Sequence, residues 1–193
     1  MSNLVLIKHS LPEIVPGKPA SQWKLSETGR QRCQILAGKL APYSAEVVVS
    51  SVEPKAVETA QIVATRMHVP FHTVENLHEH ERPCLDFSSQ SQFEARVKTF
   101  FETPEKLVMG RETARQACER FSGAIQSLLQ KYPNKNLAVV AHGTVISLFV
   151  AQYIGLEPFS FWKELSLPGF VVFRLPQLEL VKIVKNCFQL NRR

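Results

Sequence analysis

The stretch Lys8-His9-Ser10 places an ammonium, an imidazole and a hydroxyl directly after the apolar run 4–7. Four consecutive branched aliphatic residues without alternation predict a strand that is buried on both faces, as at the centre of a parallel sheet. The polar residues then lie at its carboxyl end, where open α/β sheets bind ligands. Taken alone, His9 would more often be a strand-end histidine that bonds a loop carbonyl. Beside a lysine in a crevice, it is a candidate nucleophile or general base with an anion-binding partner.

A second histidine occurs in the same setting. The run 137–141 is again continuously apolar, and His142 and Gly143 follow it before a helical segment begins. A glycine at this point lets the backbone come close to a ligand. The repeated pattern favours two histidines that serve one site over two unrelated core histidines.

A further anion site is predicted after the strand at 46–51. Pro54 suits the first turn of a helix, and Lys55 follows it directly. The free amides and the dipole of a helix N-terminus attract anions, and an ammonium on the first turn adds to that attraction. A solvated surface lysine is the alternative. The sites of Lys55 and His9 adjoin if their two strands are neighbours.

A loop after the third, weaker strand concentrates titratable side chains, which are His78, Glu79, His80, Glu81 and Arg82. Metal binding is disfavoured because the two histidines lie two positions apart on an irregular segment, without an evident third ligand. A carboxylic acid that donates a proton is the preferred interpretation of this loop.

Strands and helices alternate along the chain in a way that can position these residues. Ser26 is expected to cap a helix that Pro42 ends, and the flanking strands then form a βαβ unit with parallel strands. The helix after Pro54 is expected to have an inner stripe formed by Val57, Ala60, Ala64 and Met67. The clearest helix begins at Gly110 or Thr113 and ends near Lys131. The sequence therefore predicts an α/β fold with a mostly parallel sheet.

Two other segments complete the predicted architecture. The strands 170–174 and 179–184 form an antiparallel hairpin at the edge of the sheet. The segment at about 84–110 is a small helical insertion that covers the site, with a plain core helix as the alternative. We expect one domain over residues 1–193, since a chain of 193 residues with 45% hydrophobic residues can bury one substantial core.

Composition excludes several function classes. The net charge of +6 suggests an anionic partner, but the basic residues lack the dense clusters of a nucleic-acid surface, so no nucleic acid is expected. No apolar run is long enough to cross a membrane, and no secretion signal is evident, so we expect a cytoplasmic protein. The four cysteines lie far apart and are expected to be reduced thiols without a metal. The oligomeric state stays open, with a homodimer among the alternatives.

The motifs named above resemble, in order and spacing, those of the histidine phosphatase superfamily, the phosphoglycerate mutase-like group. The matching stretches are Lys8-His9-Ser10, Leu25-Ser26-Glu27-Thr28-Gly29, Ser51 through Thr59-Ala60, Leu77-His78-Glu79 and Val140-Ala141-His142-Gly143. The resemblance implies a three-layer α/β/α fold, with His9 as the nucleophile that becomes a phosphohistidine. It further implies that His142 holds phosphoryl oxygens, that Glu79 donates the proton, and that neither a metal nor another cofactor is needed.

The sequence departs from the family pattern at the phosphate pocket. Lys8 and Lys55 fall where the family usually has two arginines, which keeps the charge but loses the flat guanidinium fork. Ser10 replaces the usual glycine, and Arg82 is the candidate for a guanidinium supplied by the loop. The expected phosphate-binding residues are thus Lys8, Ser10, Lys55, Arg82, His142 and Gly143.

The resulting hypothesis is a metal-independent phosphatase that acts on a small phosphate monoester, with inorganic phosphate as product. The alternative from another class is a member of the fold that binds a phosphorylated ligand without turnover. A phosphomutase is a less favoured reading, because the chain is short. Glu81 is the next candidate if Glu79 is not the proton donor.

Overall fold

The computed structural model describes residues 1–82 and 89–188 of the chain. The strands are β1 (Asn3–Lys8), β2 (Val47–Ser50), β3 (Phe71–Thr73), β4 (Leu137–Ala141), β5 (Phe170–Arg174) and β6 (Glu179–Val184). The helices are α1 (Glu27–Leu40), α2 (Pro54–Met67), α3 (Gln90–Glu102), α4 (Ala114–Lys131), α5 (Gly143–Ile154) and α6 (Pro158–Glu164). Short 3₁₀ turns cover Ala20–Gln22 and Ala41–Tyr43.

The six strands form one sheet in the order β3-β2-β4-β1-β5-β6. Strands β1 to β4 are parallel, whereas β5 and β6 form an antiparallel hairpin at one edge, as predicted. Ile7 of β1 pairs with Val140 on one side and with Phe170 on the other. One neighbour of β1 is therefore antiparallel, and β4 lies between β1 and β2.

Alternate residues of β1 enter two separate hydrophobic cores. Leu4 and Leu6 pack in a cluster with Phe121 of α4 and Phe149 of α5. Val5 and Ile7 belong to a second cluster, which includes Leu36 of α1 and Ala60, Val63 and Ala64 of α2. Helices thus cover both faces of the sheet, which confirms the predicted three-layer α/β/α fold. Full burial of each leucine, valine, isoleucine or phenylalanine side chain contributes on the order of 1.5 to 3 kcal/mol.

The start of α1 is fastened to the loop that leaves β1. The Ser26 hydroxyl accepts a hydrogen bond from Gly29 N at 3.0 Å and donates one to Leu11 O at 3.1 Å. A Cβ atom on Gly29 would lie 2.1 Å from Leu11 O, so only glycine permits this approach. The predicted cap is confirmed, and it holds the residues just after His9 against the helix.

Helix α2 buries Ala60 and Ala64 as predicted, but the rest of its buried stripe differs from the prediction. Val57 and Met67 are only half-buried, whereas Ala56, Ala60 and Val63 are buried. The reason is that small alanines at positions 56, 60 and 64 let the helix approach the sheet closely. This rotation also turns Lys55 and Thr59 inward, so that the Thr59 hydroxyl accepts a hydrogen bond from Ser10 N at 3.0 Å.

A third cluster joins α3, α4, α5 and α6. It contains Val97, Phe100 and Phe101, while Phe93 at its margin is partly buried. Part of the segment predicted as an insertion, residues 84–88, lies outside the described residues. Among the residues that are described, no helix is long and apolar enough to cross a membrane.

Helix α6 was not predicted. Its start carries a usual signal, because the Glu157 carboxylate accepts hydrogen bonds from Phe159 N and Ser160 N, with Pro158 in the first turn. Seven residues are too few for a clear hydrophobic period, which explains the omission. An ion pair between Lys163 and Glu94, 2.7 Å long, joins α6 to α3.

Candidate active site

The carboxyl ends of β1, β2 and β4 bring three predicted groups together. β4 lies between the strands that precede His9 and Lys55, and it delivers His142 between them. A cavity of about 700 Å³ opens beside these strand ends. Its charged and titratable lining consists of His9, Glu53, Lys55, His78, Glu79, His80, Glu81, Arg82 and Arg111, and its less polar wall includes Pro12, Pro19, Ala20 and Trp23.

His9 has the geometry of a nucleophile. Its Nδ1 lies 2.8 Å from the Ser10 carbonyl oxygen. Since a carbonyl only accepts, Nδ1 carries the proton and Nε2 keeps its lone pair. Burial lowers the pKa of His9 well below its usual value, and His142 and Lys55 act in the same direction. The ring is therefore neutral at neutral pH, as nucleophilic attack requires.

His142 lies against His9 but is fully buried. The two ring centroids are 5.1 Å apart, and His142 does not line the cavity. Its Nε2 lies 2.8 Å from Ser51 Oγ and 3.6 Å from Glu53 Oε1. Its Nδ1 has no hydrogen-bond partner among the described residues. Burial lowers the pKa of His142 well below its usual value, and Lys55 lowers it further.

Lys55 is a buried cation, so the solvated alternative is wrong. Only 4% of its surface is exposed. Its Nζ donates to Ala20 O at 2.6 Å and to Glu53 Oε2 at 2.5 Å. Two of the three ammonium protons are thus used, and the third can reach a ligand in the cavity that Lys55 lines.

The Glu79 carboxylate is held at the N-terminus of α5. Its carboxylate accepts hydrogen bonds from Thr144 N at 3.1 Å and from His80 N at 2.9 Å. Burial alone would raise its pKa, but the nearby Arg82 guanidinium, His142 and these two amides outweigh that effect and lower the pKa of Glu79 to about 2. Glu79 is therefore ionised in the empty site. Glu81, by comparison, is exposed and lies 3.4 Å from His78 Nε2.

Lys8 is placed differently from the prediction. Its Nζ donates to the Leu165 carbonyl at 2.7 Å, just beyond α6, and Lys8 does not line the cavity. Burial lowers the pKa of Lys8 to about 8, although Glu79 opposes the shift. The Leu165 carbonyl, which follows the unpredicted helix α6, thus accepts a hydrogen bond from the Lys8 ammonium. The Lys8 ammonium therefore lies outside the cavity lining, and its assignment to the phosphate clamp stays a prediction.

Ser10 and Gly143 also lie outside the cavity lining. The Ser10 hydroxyl donates to Gly29 O at 2.7 Å, inside the interface with α1. Gly143 makes room for the Lys8 side chain, because a Cβ there would lie 3.0 Å from Lys8 Cε and 3.3 Å from Trp162 Cδ1. Their assignment as phosphate-binding residues stays a prediction.

The loop that carries Glu79 and Arg82 is tied to residues 110–112. Arg111 N donates to Glu81 O at 2.8 Å, and Glu81 N donates to a Glu112 carboxylate oxygen at 3.0 Å. Gly110 has a positive φ of 80°, and a Cβ there would lie 2.0 Å from Glu81 O. This contact aligns the loop, and it brings Arg111 into the cavity wall.

Arg82 carries the guanidinium whose direction the sequence left open. It lines the cavity, and its Cζ lies 4.9 Å above the Phe93 ring. Its Nη1 is buried and has no hydrogen-bond partner within residues 1–82 and 89–188. A guanidinium that is supported by an aromatic ring and has an unused donor can bind an anion in the cavity.

Comparison with known proteins identifies the family. The histidine phosphatase superfamily (branch 1) matches residues 15–174, which is most of the chain. The chain belongs to the histidine phosphatase superfamily. PhoE of Bacillus subtilis, named an uncharacterized phosphatase, is 24% identical over 163 residues, or 82% of this chain and 80% of the relative.

Solved structures share the histidine phosphatase fold. A mutant phosphoserine phosphatase from Entamoeba histolytica, in complex with phosphoserine, has a TM-score of 0.77 at 18% identity, covering 98% of this chain and all of that one. The alpha-ribazole phosphatase from Shigella flexneri has a TM-score of 0.72 at 20% identity, covering 96% of each chain. At this identity the likeness shows the fold alone.

Sequence reasoning missed Glu53 and Arg111 in the site of this histidine phosphatase. A glutamate before a helix is usually a favourable charge at the helix N-terminus. Glu53 is the N-cap residue of α2, but its side chain makes no capping hydrogen bond. The available signal was a carboxylate two positions before a lysine expected to bind an anion. Arg111 carried no signal, because it depends on the contact between two loops.

Proposed function

We propose that this protein is a metal-independent phosphatase that hydrolyses a small phosphate monoester through a covalent phosphohistidine on His9. The observation that carries this proposal is the 2.8 Å contact between His9 Nδ1 and Ser10 O, which favours the proton on Nδ1 and leaves the Nε2 lone pair for attack in a cavity lined by cations. Phosphatase relatives and neighbours support the same reaction class. Phosphoserine, which one neighbour binds, is itself a small phosphate monoester.

The proposed reaction has two steps. His9 Nε2 attacks phosphorus, the bond from phosphorus to the ester oxygen breaks, and Glu79 gives its proton to the leaving alkoxide. Water then attacks the phosphohistidine, with Glu79 accepting its proton, and inorganic phosphate is released. Lys55 and Arg82 compensate the charge on the phosphoryl oxygens.

The proton for the first step comes from the change that substrate binding makes in the site. Glu79 is ionised in the empty cavity, where its pKa is about 2. A phosphate dianion beside a carboxylate raises the pKa of that carboxylate, because two like charges in a partly buried site repel each other. Protonated Glu79 is then the acid for an alkoxide leaving group.

The phosphate clamp is proposed to differ from the usual pair of family arginines. Lys55 stands at one of those positions and lines the cavity, whereas the Lys8 ammonium is bonded to Leu165 O. Arg82 is proposed to take over as the guanidinium of the clamp. The forked guanidinium of Arg82 and the ammonium of Lys55 then hold the phosphoryl group together.

Covalent labelling tests the proposal. The protein is incubated with an aryl phosphate, quenched in alkali and mapped by mass spectrometry. We expect phosphate on His9 in the wild type and none in His9→Ala. Phosphate binding without a label and without turnover over a wide pH range would instead support a binding module.

A further inference from the structure

Glu53 occupies an unusual position for a carboxylate in a site for phosphate. Its Oε2 lies 2.5 Å from Lys55 Nζ, and only 7% of its surface is exposed. Its Oε1 accepts a hydrogen bond from Glu79 N at 2.8 Å and lies 3.6 Å from His142 Nε2. One carboxylate thus contacts two groups that a phosphoryl group would need, together with the backbone of the proton donor.

Glu53 also borders both the cavity and His142. His142 is fully buried, and His9, Ser51 and Glu53 lie beside its ring. Ser51 is itself fully buried, whereas His9 and Glu53 line the cavity. Since His9 must stay in place to attack, displacement of Glu53 would open a path from the cavity toward His142.

We propose that Glu53 is a displaceable carboxylate that takes the place of the phosphoryl group in the empty enzyme and competes with it for Lys55 and His142. This inference rests on the proposed function. A dianion in the cavity would repel the ionised carboxylate at short range, and that repulsion is strong in a partly buried site. Phosphate entry therefore exchanges one anionic partner of Lys55 for another.

The exchange makes Glu53 a determinant of affinity. Part of the binding free energy of any phosphate is used to break the pair between Glu53 and Lys55. The product leaves more readily for the same reason, because Glu53 returns to Lys55 as phosphate departs. Removing the charge of Glu53 should therefore strengthen phosphate binding, which general damage to the fold would not do.

The test compares Glu53→Gln with a control that changes the net charge equally. Gln keeps the shape and an acceptor for Glu79 N but cannot pair with Lys55 as an anion. Glu75→Gln is the control, since Glu75 is exposed and lies outside the cavity lining. Binding of inorganic phosphate and of orthovanadate is measured by calorimetry. We expect Kd to fall at least about tenfold in Glu53→Gln and to change less than about twofold in Glu75→Gln.

A second measurement needs no variant. In a crystal structure of the wild type with vanadate, Glu53 should lie more than about 4 Å from Lys55 Nζ, beyond ion-pair distance. Glu53 still paired with Lys55 in that complex overturns the inference, as does unchanged or weaker phosphate binding by folded Glu53→Gln. If the wild type binds neither anion and His9 is never labelled, the proposed function is wrong and the inference fails with it.

Discussion

Removing Lys55 and removing Lys8 should have very different consequences, although the sequence gives the two residues the same role. Lys55 Nζ faces the cavity, where Glu53 and Ala20 O are its partners. Lys8 Nζ is bonded to Leu165 O, outside the cavity lining. Comparing Lys55→Ala with Lys8→Met therefore distinguishes a lysine that binds phosphate from a lysine that makes a structural contact. Methionine at position 8 keeps most of the buried volume.

The effect of Lys55→Ala has two components. It deletes a charge-assisted contact to the phosphoryl group, for which losses of about 2 to 4 kcal/mol are usual. It also leaves the Glu53 carboxylate without its cation, beside the incoming dianion. We expect a total of about 3 to 5 kcal/mol, a loss of roughly 100- to several-thousand-fold in kcat/KM.

Steady-state kinetics on an aryl phosphate, with circular dichroism as a check of folding, measures both variants. Lys8→Met should lose less than about tenfold in kcat/KM. Adding Glu53→Gln to Lys55→Ala should raise kcat/KM again by about tenfold, because the double variant no longer has an uncompensated carboxylate beside the phosphate. Equal losses in folded Lys8→Met and Lys55→Ala would refute the assignment of the clamp to Lys55.

Three other outcomes are expected. Glu79→Gln should slow alkyl phosphates far more than nitrophenyl phosphates, since only the alkoxide needs a proton to leave; equal losses in kcat/KM would point to Glu81 as the donor. Ser10→Gly should cost about 1 to 2 kcal/mol in urea unfolding, through the lost bond to Gly29 O, with kcat/KM changed less than about threefold. Lys8 has a pKa of about 8 in the folded chain and 10.5 as its ordinary value, so the unfolded state binds more protons between these pH values. Wild-type stability should therefore rise relative to Lys8→Met as the pH increases from 8 to 10.5, by up to about 3 kcal/mol in urea unfolding; a pH-independent difference would contradict this account.

Most of the fold could be predicted from the sequence, because continuous apolar runs and local capping residues determine most of its strands and helices. The apolar runs of β1 and β4 are buried on both faces, and the cap of α1 depends on a local bond between Ser26 and Gly29. Helix α6 escaped prediction because its few residues give no clear period. In the inner stripe of α2, Ala60 and Ala64 were predicted correctly, but Val57 and Met67 are only half-buried, since close packing of alanines, rather than the largest side chains, decided the rotation of the helix.

The site was predictable only as far as strand ends determine it. His9 and His142 were correctly brought together, because the carboxyl ends of parallel strands meet at one edge. The direction of a long side chain depends instead on which acceptor it meets. Lys8 meets Leu165 O beyond an unpredicted helix, and Lys55 meets a glutamate that looked like a helix-start charge. Neither acceptor can be deduced from spacing.

The charges of the empty cavity explain how phosphate binding can both displace Glu53 and protonate Glu79 in the proposed reaction. Lys55 and Arg82 bring two positive charges, and Glu53 and Glu79 bring two negative ones, so the four groups balance without a ligand. A phosphate dianion upsets this balance. Its field repels Glu53 from Lys55, which opens the way to His142, and it raises the pKa of Glu79, which then takes up the proton that the leaving group needs. Because Glu79 N donates to Glu53 Oε1, displacement of Glu53 also frees the backbone of the donor. Binding, access to His142 and protonation of the acid are therefore linked through one pair of residues.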